Sequence, residues 1–219
     1  MNKNSSLIGS WAFTIFQWIM AWYFALPQMK NLWIGKVEGV TINWLVCAAS
    51  FIILNLFLVL RSGIKMNDVP KIQAVSVYLN WIILVLPLSV LVVIRCNWTE
   101  ADTVIIGSVI SLATVTVFVG RHFHKDVSDP LIKGIMVGLF RAVPHLFLCY
   151  HIVNSGDGGS GIPVETIITG NVTVLSRIIT MKRLLARTGE DHAVKASLRS
   201  EWLNEGTWFL VTIVWWLNR

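Results

Sequence analysis

Long apolar runs without charge dominate this chain and leave few folds open to it. The stretches from Leu7 to Pro27 and from Val40 to Leu60 contain no charged residue. Five further, mainly apolar runs follow at 72–94, 103–120, 131–153, 162–181 and 201–217. About 20 helical residues cross the roughly 30 Å hydrocarbon core of a bilayer, where backbone groups must be bonded within the segment. The sequence therefore predicts an all-α integral membrane protein with seven transmembrane helices.

The composition favours a bilayer as the partner. Of the 219 residues, 55% are hydrophobic and 14% are charged, and the formal net charge is +6. Lys and Arg collect in short connections, as is typical of loops beside an anionic membrane surface, so we expect no nucleic acid partner. Cys47, Cys96 and Cys149 have no metal-ligand spacing, and no phosphate-binding loop occurs. We therefore expect no metal and no cofactor.

A weak internal repeat organises the chain. The stretch from Pro27 to Gly39 returns in altered form from Pro144 to Gly161, and Leu79-Asn80 matches Leu203-Asn204. This order predicts two three-helix bundles, residues 1–101 and 126–219, joined by one inversion linker helix within residues 102–125. A single intervening helix makes the repeats parallel around an axis along the membrane normal, with a site expected between them.

The first repeat carries motifs of a known superfamily. Pro27-Gln28, then Lys36, Glu38-Gly39 and Thr41, follow the order of a PQ motif, a K-x-E-G motif and a small hydroxyl residue. In this the chain resembles the PQ-loop superfamily, which includes the SWEET sugar transporters. The resemblance implies a 3+1+3 arrangement of helices and transport by alternating access. In the second repeat His145 stands in place of Gln28, and Pro163 represents the later proline, for which helix 2 has Thr41 nearby.

Polar residues in the apolar runs are the candidate substrate-binding residues. Asn80 and Asn204 resemble the asparagine pair that lines the sugar site of SWEETs. Trp81 and Asn171 are further candidates. An unpaired amide in apolar surroundings is costly, so each asparagine either meets a polar solute or bonds between helices.

Arg141 and Arg177 are the sharpest clue to the solute. A guanidinium at the bilayer centre costs roughly 2.5–3.5 kcal/mol, so it should face a cavity or a partner. One interpretation is that they grip a carboxylate or phosphate. The other is an internal pair with Glu165 or Glu205, or snorkelling of Arg177 to the nearby helix end.

Other residues are candidates for movement and for proton coupling. The hinge or gating candidates are Pro27, Gln28, Pro144, His145 and Pro163, since a proline removes a helix hydrogen bond. They could equally be plain helix-end residues. His145, Glu165 and Glu205 could relay protons, or could cap helix ends at the membrane interface.

The leading hypothesis is a membrane transporter or facilitator of a small polar metabolite (a sugar, an amino acid or a small carboxylate) working by alternating access. The alternative is a seven-helix receptor that binds a carboxylate-bearing ligand or peptide without transport. No nucleophile–base or metal constellation supports an enzyme. We expect a multi-pass protein of the cell or inner membrane, and self-association is left open.

The charge distribution and the family resemblance predict opposite orientations of the chain in the membrane. The N-terminal side holds 12 Lys and Arg against 4 on the other side, which places the N-terminus in the cytoplasm. The family resemblance implies the reverse.

Overall fold

The described part of the chain is built from helices joined by short turns and has no β-strand. A computed structural model describes residues 3–61, 68–127, 129–188 and 192–219. Its helices are α1 Lys3–Trp33, α2 Ile42–Arg61, α3 Val69–Arg95, α4 Glu100–His122, α5 Pro130–Val137, α6 Val143–Asn154, α7 Val164–Thr188 and α8 His192–Leu217. A π-helical turn, Gly138–Ala142, joins α5 to α6, so that the two form one continuous helix. Counted in this way, the described residues form seven helices.

Four of these seven helices are long and apolar enough to span a membrane. The spans are Ile42–Leu60, Val69–Arg95, Glu100–His122 and Leu131–Asn154. They support the prediction of an α-helical membrane protein. The remaining helices, α1, α7 and α8, have 31, 25 and 26 residues but are not among these four. Seven membrane crossings therefore remain a prediction.

Two helices extend further than the sequence predicts. The first was expected to end at Pro27, but α1 continues for six more residues to Trp33. The seventh was expected to begin at Glu201, but α8 begins at His192, so Asn204 and Glu205 lie well inside it. The segment between the last two apolar runs contains many good helix formers, which extend both neighbouring helices beyond their apolar parts. Residues 62–67, between the second and third apolar runs, and residues 189–191, between the last two, lie outside the described residues.

The helices contact one another in a pattern with approximate two-fold symmetry. In the first half α3 contacts both α1 and α2; in the second half α8 contacts both the α5–α6 helix and α7. Between the halves, α1 packs on α7 and α2 packs on the α5–α6 helix. The contacts are reproduced when α1 is exchanged with the α5–α6 helix, α2 with α7 and α3 with α8. The exception is α4, which packs against α2 and the α5–α6 helix and is mostly exposed.

Burial follows the same symmetry residue by residue. Helix α3 has ten buried residues, and for nine of them the residue 123 positions later, in α8, is also buried. The exception is Leu84, which corresponds to the half-buried Thr207. Helix α2 has twelve buried residues, and for nine of them the residue 122 positions later, in α7, is also buried. The corresponding helices therefore turn the same faces inward, although their sequences differ.

The turns before α2 and α7 touch each other. The backbone N–H of Gly161 donates to the carbonyl of Glu38 at 3.0 Å, and Gln28 Nε2 donates to the carbonyl of Gly161 at 3.1 Å. A methyl group on Gly161 would come within 2.6 Å of the Glu38 oxygen. Gly39 adopts a φ of 74°, which favours glycine, and a methyl group there would meet Gly159. The two glycine turns thus fix the contact between the halves.

Candidate functional site

A small cavity lies between the two halves. Its volume is about 30 Å³, which holds only one or two water molecules. It is lined by Phe24, Trp44, Leu45, Ala48, Ile52, Trp81, Val85, Arg141, His145, Gly170, Thr173, Val174, Arg177, Asn204 and Trp208. Residues of α1, α2 and α3 line it together with residues of the α5–α6 helix, α7 and α8.

Aromatic rings form much of the cavity wall. Trp44 and Trp208 stack with centroids 5.4 Å apart and planes inclined by 15°. Phe24 packs edge-on against Trp81 at 5.2 Å and lies 6.0 Å from Trp208. Gly170 makes room for the last ring, because a methyl group there would come within 2.1 Å of Trp208 Nε1. The rings give flat apolar surfaces against which a small solute can stack.

A buried ion pair lies beside the cavity. Arg177 Nε is 3.1 Å from Glu201 Oε2, and the two side chains are 4% and 0% exposed. Tyr78 Oη donates to Glu201 Oε1 at 2.9 Å, while Asn204 Nδ2 approaches Glu201 Oε2 at 3.5 Å. The guanidinium also lies over the Trp81 ring, 5.1 Å from its centroid. The carboxylate is therefore well satisfied, and Arg177 is committed to an internal partner, though not to either predicted one.

Arg141 differs from Arg177 in having no carboxylate partner among the described residues. It is 7% exposed, its Cζ lies 4.4 Å from the Phe51 ring centroid, and its Nε has no hydrogen-bond partner. The π-helical turn holds this residue: Val143 N–H bonds back to the Gly138 carbonyl, five residues earlier, immediately before Pro144. Such turns occur often at functional sites, and here the turn directs a guanidinium to the cavity.

His145 contributes a second nitrogen atom without a partner. Its Nδ1 lies 2.7 Å from Thr207 Oγ1, and its ring centroid is 5.5 Å from that of Trp208. Thr207 Oγ1 is placed to donate to the carbonyls of Leu203 and Asn204. Its oxygen can then accept the Nδ1 proton, which leaves Nε2, buried and unpartnered, as an acceptor in the neutral ring and a donor in the protonated one.

The predicted substrate-binding residues divide into two groups. Trp81, Arg141 and Asn204 line the cavity, whereas Asn80 and Asn171 do not. Asn80 Oδ1 accepts from Trp22 Nε1 at 3.2 Å, and Asn171 Nδ2 donates to Thr212 Oγ1 at 2.9 Å. Both of these asparagines make the interhelical bonds that were the other interpretation of membrane asparagines.

The position of Asn80 outside the lining follows from a register difference of one residue between α3 and α8. The sequence match pairs Asn80 with Asn204, a separation of 124 positions. The burial pattern of α3 and α8 requires 123, which pairs Asn204 with Trp81 and Asn80 with Leu203. One residue turns a helix by about 100°, enough to carry Asn80 away from the cavity.

The hinge and gating candidates other than His145 lie outside the cavity lining. Pro27 is inside α1, Pro144 stands in the first turn of α6 and Pro163 directly precedes α7. Gln28 is fully buried and spans the contact between the halves through its bond to Gly161. Pro144 and Pro163 therefore lie at helix starts and Pro27 lies within a helix, while Gln28 lies at the contact between the halves.

The two acidic candidates for proton coupling also lie outside the cavity lining. Glu165 is exposed in the first turn of α7. Glu205 is 9% exposed, and its Oε2 has no hydrogen-bond partner.

Three polar residues of this region escaped the sequence analysis. Glu201 was placed at a helix start, Tyr78 was not considered, and Lys133 was counted with the loops. Lys133 is in fact 1% exposed. The available signal was its position in the run 131–153, where an ionisable residue needs a partner.

The chain was compared with models of known protein families, with curated proteins and with solved structures, and it matches none of them.

Proposed function

We propose that this protein is a membrane transporter or facilitator of a small polar metabolite that carries an anionic group. The observation that carries the proposal is a set of three unpartnered nitrogen atoms, Arg141 Nε, His145 Nε2 and Trp208 Nε1, on residues that line one cavity. A buried polar group without a partner costs roughly 1–3 kcal/mol, so three around one cavity favour a polar ligand.

The chemistry of these groups defines the solute. Arg141 and Trp208 offer N–H donors, and the guanidinium adds a positive charge, which together suit a carboxylate. Neutral His145 would accept from a hydroxyl or amino group of the same solute. The aromatic walls exclude water and restrict the solute to a small size. Small hydroxy acids and amino acids meet these requirements.

The architecture we propose is the 3+1+3 arrangement of the PQ-loop superfamily. The paired helix contacts and the paired burial patterns of α2 with α7 and α3 with α8 support two parallel repeats. The position of α4 outside both groups supports its role as the linker. Transporters built from such repeats bind their solute at the repeat interface.

Transport then requires the two halves to move. A cavity of about 30 Å³ is too small for any metabolite, so the halves must part before a solute can enter. We propose that the halves rock about the positions of Pro27, Pro144 and Pro163, since a proline cannot donate the regular helix hydrogen bond. Each opening would expose Arg141 to one side of the membrane.

Uptake into proteoliposomes tests the proposal. The solutes compared are radiolabelled succinate, lactate, serine, glutamate and glucose, with protein-free liposomes as the control. We expect saturable uptake of at least one carboxylate-bearing solute and less uptake of glucose. Uptake of glucose alone would reject the anionic assignment. Saturable carboxylate binding without flux would select the receptor alternative.

A further inference from the structure

A second cavity opens between α5 and α8, away from the central one. Its volume is about 210 Å³. It is lined by Lys133, Gly134, Val137, Ala196, Arg199, Ser200 and Leu203. Two of these residues are cations and none is acidic, so the cavity has a positive lining that suits an anion.

Lys133 is the buried cation of this lining. It is 1% exposed, and its Nζ donates to Asn55 Oδ1 at 2.8 Å. The same amide oxygen lies 3.4 Å from Ser200 Oγ. Among the described residues Lys133 makes no ion pair, and the carboxylate of Glu201 acts on it only from a distance. An ammonium buried without an opposite charge in contact is costly. The bond to Asn55 uses one of the three N–H donors of the ammonium group, and the other two could bind a ligand.

Lys133 also lies near Arg141, which lines the central cavity. Its Nζ lies 5.8 Å from the Phe51 ring centroid, and Arg141 Cζ lies 4.4 Å from the same centroid. The two cationic centres are therefore at most about 10 Å apart. A small carboxylate with a second polar group can span much of that distance, so an anion bound at Lys133 is within reach of Arg141.

Arg199 provides a third positive charge, on the outside. It lines the same cavity and is exposed, whereas Lys133 is buried. A series of cations from an exposed position to a buried one attracts anions and raises their local concentration. Arg199, Lys133 and Arg141 form such a series from the protein surface to the central cavity.

We propose that the cavity between α5 and α8 is an anion-binding vestibule, with Arg199 at its mouth and Lys133 at its inner wall, through which a carboxylate or phosphate group reaches Arg141. The vestibule binds the anionic oxygens and holds them next to the central site. This inference deepens the proposed function, and its test does not depend on flux.

Thermal unfolding of the full-length protein in a neutral detergent provides that test. Succinate or inorganic phosphate is added at constant ionic strength, with chloride as the reference. A ligand that binds only the folded state raises the unfolding midpoint in proportion to its saturation. We expect both anions to raise the midpoint of the native protein and Lys133→Gln to abolish the rise. Arg199→Gln should weaken the apparent affinity about tenfold, as expected for the loss of one charged hydrogen bond.

The matched control is Arg121→Gln, which removes an exposed cation at the end of α4. It should respond to the anions like the native protein. If Lys133→Gln does not fold, Arg199→Gln carries the test, because its side chain is exposed. Two results would overturn the proposal. One is an equal rise of the unfolding midpoint in the native protein and in Arg199→Gln; the other is no rise in the native protein with either anion at about 100 mM, which is about 100 times a millimolar Kd.

A second arm separates a soluble anion from a lipid headgroup. The measurement is repeated in nanodiscs of phosphatidylcholine with and without phosphatidylglycerol. Stabilisation by succinate or phosphate in pure phosphatidylcholine supports the vestibule, whereas stabilisation by phosphatidylglycerol alone overturns it. Absence of uptake of every solute would reject the transport function and leave an observed binding result standing. Uptake that occurs without anion binding at Lys133 would reject the vestibule alone.

Discussion

Tyr78 in α3 and Glu201 in α8 occupy matching positions in the burial patterns of the two helices, and their side chains are hydrogen-bonded to each other at 2.9 Å. Residues near a two-fold axis contact their own counterparts, so this bond lies close to the approximate axis that relates the halves. Helix α3 supplies a phenol and α8 a carboxylate. The helix contacts are therefore nearly symmetric, while the buried ion pair Arg177–Glu201 lies within α7 and α8.

The ion pair beside that axis should be important for stability. Removing one partner of a buried pair leaves an uncompensated charge, so Arg177→Gln and Glu201→Gln should each cost roughly 3–5 kcal/mol. The double variant should lose less than the sum of the two, because neither charge then remains. Chemical unfolding of all three variants measures the coupling. Strictly additive losses would show that the two side chains do not interact.

The register of the repeats predicts different roles for the two asparagines. Asn204 lines the cavity, so Asn204→Ala should weaken solute binding about tenfold, in line with the loss of a hydrogen bond to a charged group. Asn80→Ala should leave binding unchanged, since Asn80 bonds to Trp22. Binding affinities of both variants for the solute found by uptake decide this. A larger loss in Asn80→Ala would favour the register read from the sequence.

The sequence predicted the helical membrane fold because apolar runs of about 20 residues are typical of membrane-spanning helices, whose backbone groups are bonded within the segment. It predicted the inward position of Arg141 from the cost of burying a charge. It misplaced Asn80 because the sequence match of α3 to α8 differs by one residue from the match of their burial patterns, which the sequence does not reveal. It missed Lys133 because the position lies near the end of an apolar run, where a cation usually reaches water.

Gly170 should be required for the shape of the cavity. A methyl group there would overlap the Trp208 indole, so Gly170→Ala should displace the ring and cost roughly 1–3 kcal/mol by overpacking. Gly206 is the matched control, since nothing lies within 4 Å of its added methyl group. Gly206→Ala should be neutral or stabilising by up to about 1 kcal/mol. Unfolding midpoints and tryptophan fluorescence follow both changes, and equal effects would contradict the packing argument.

A reversible cross-link should arrest transport if the halves rock. Gln17 Nε2 donates to Ser176 Oγ at 3.1 Å, joining α1 to α7 across the interface. A direct disulfide needs Cβ atoms about 3.8 Å apart, which is shorter than the reach of the Gln17 side chain to Ser176. In a chain with its native cysteines replaced by alanine, Gln17→Cys with Ser176→Cys should therefore be bridged by a short bifunctional methanethiosulfonate. Uptake should then stop and return on reduction, while either single variant should keep its uptake after treatment with the reagent. Full uptake by the verified cross-linked protein would contradict rocking of these two helices.

Of the native cysteines, Cys96 lies just outside the spans. Burial, together with the carboxylates of Asp102 and Glu38, raises its pKa to about 12. It is therefore protonated and slow to react at neutral pH, since the thiolate is the reactive form. Labelling with a maleimide at pH 7 should leave Cys96 largely unmodified, and mass spectrometry of the labelled peptides checks this. Rapid labelling at pH 7 would show that the thiol is neither buried nor near these carboxylates.

The most direct test of the account compares the uptake of one carboxylate-bearing solute by native protein, Arg141→Gln and Arg121→Gln in proteoliposomes. Arg141→Gln should reduce uptake at least tenfold while the protein still folds, because the cavity loses its only cation without an internal carboxylate partner among the described residues. Arg121→Gln should transport normally. Equal uptake by all three proteins would contradict the assignment of Arg141 as the residue that holds the anionic group.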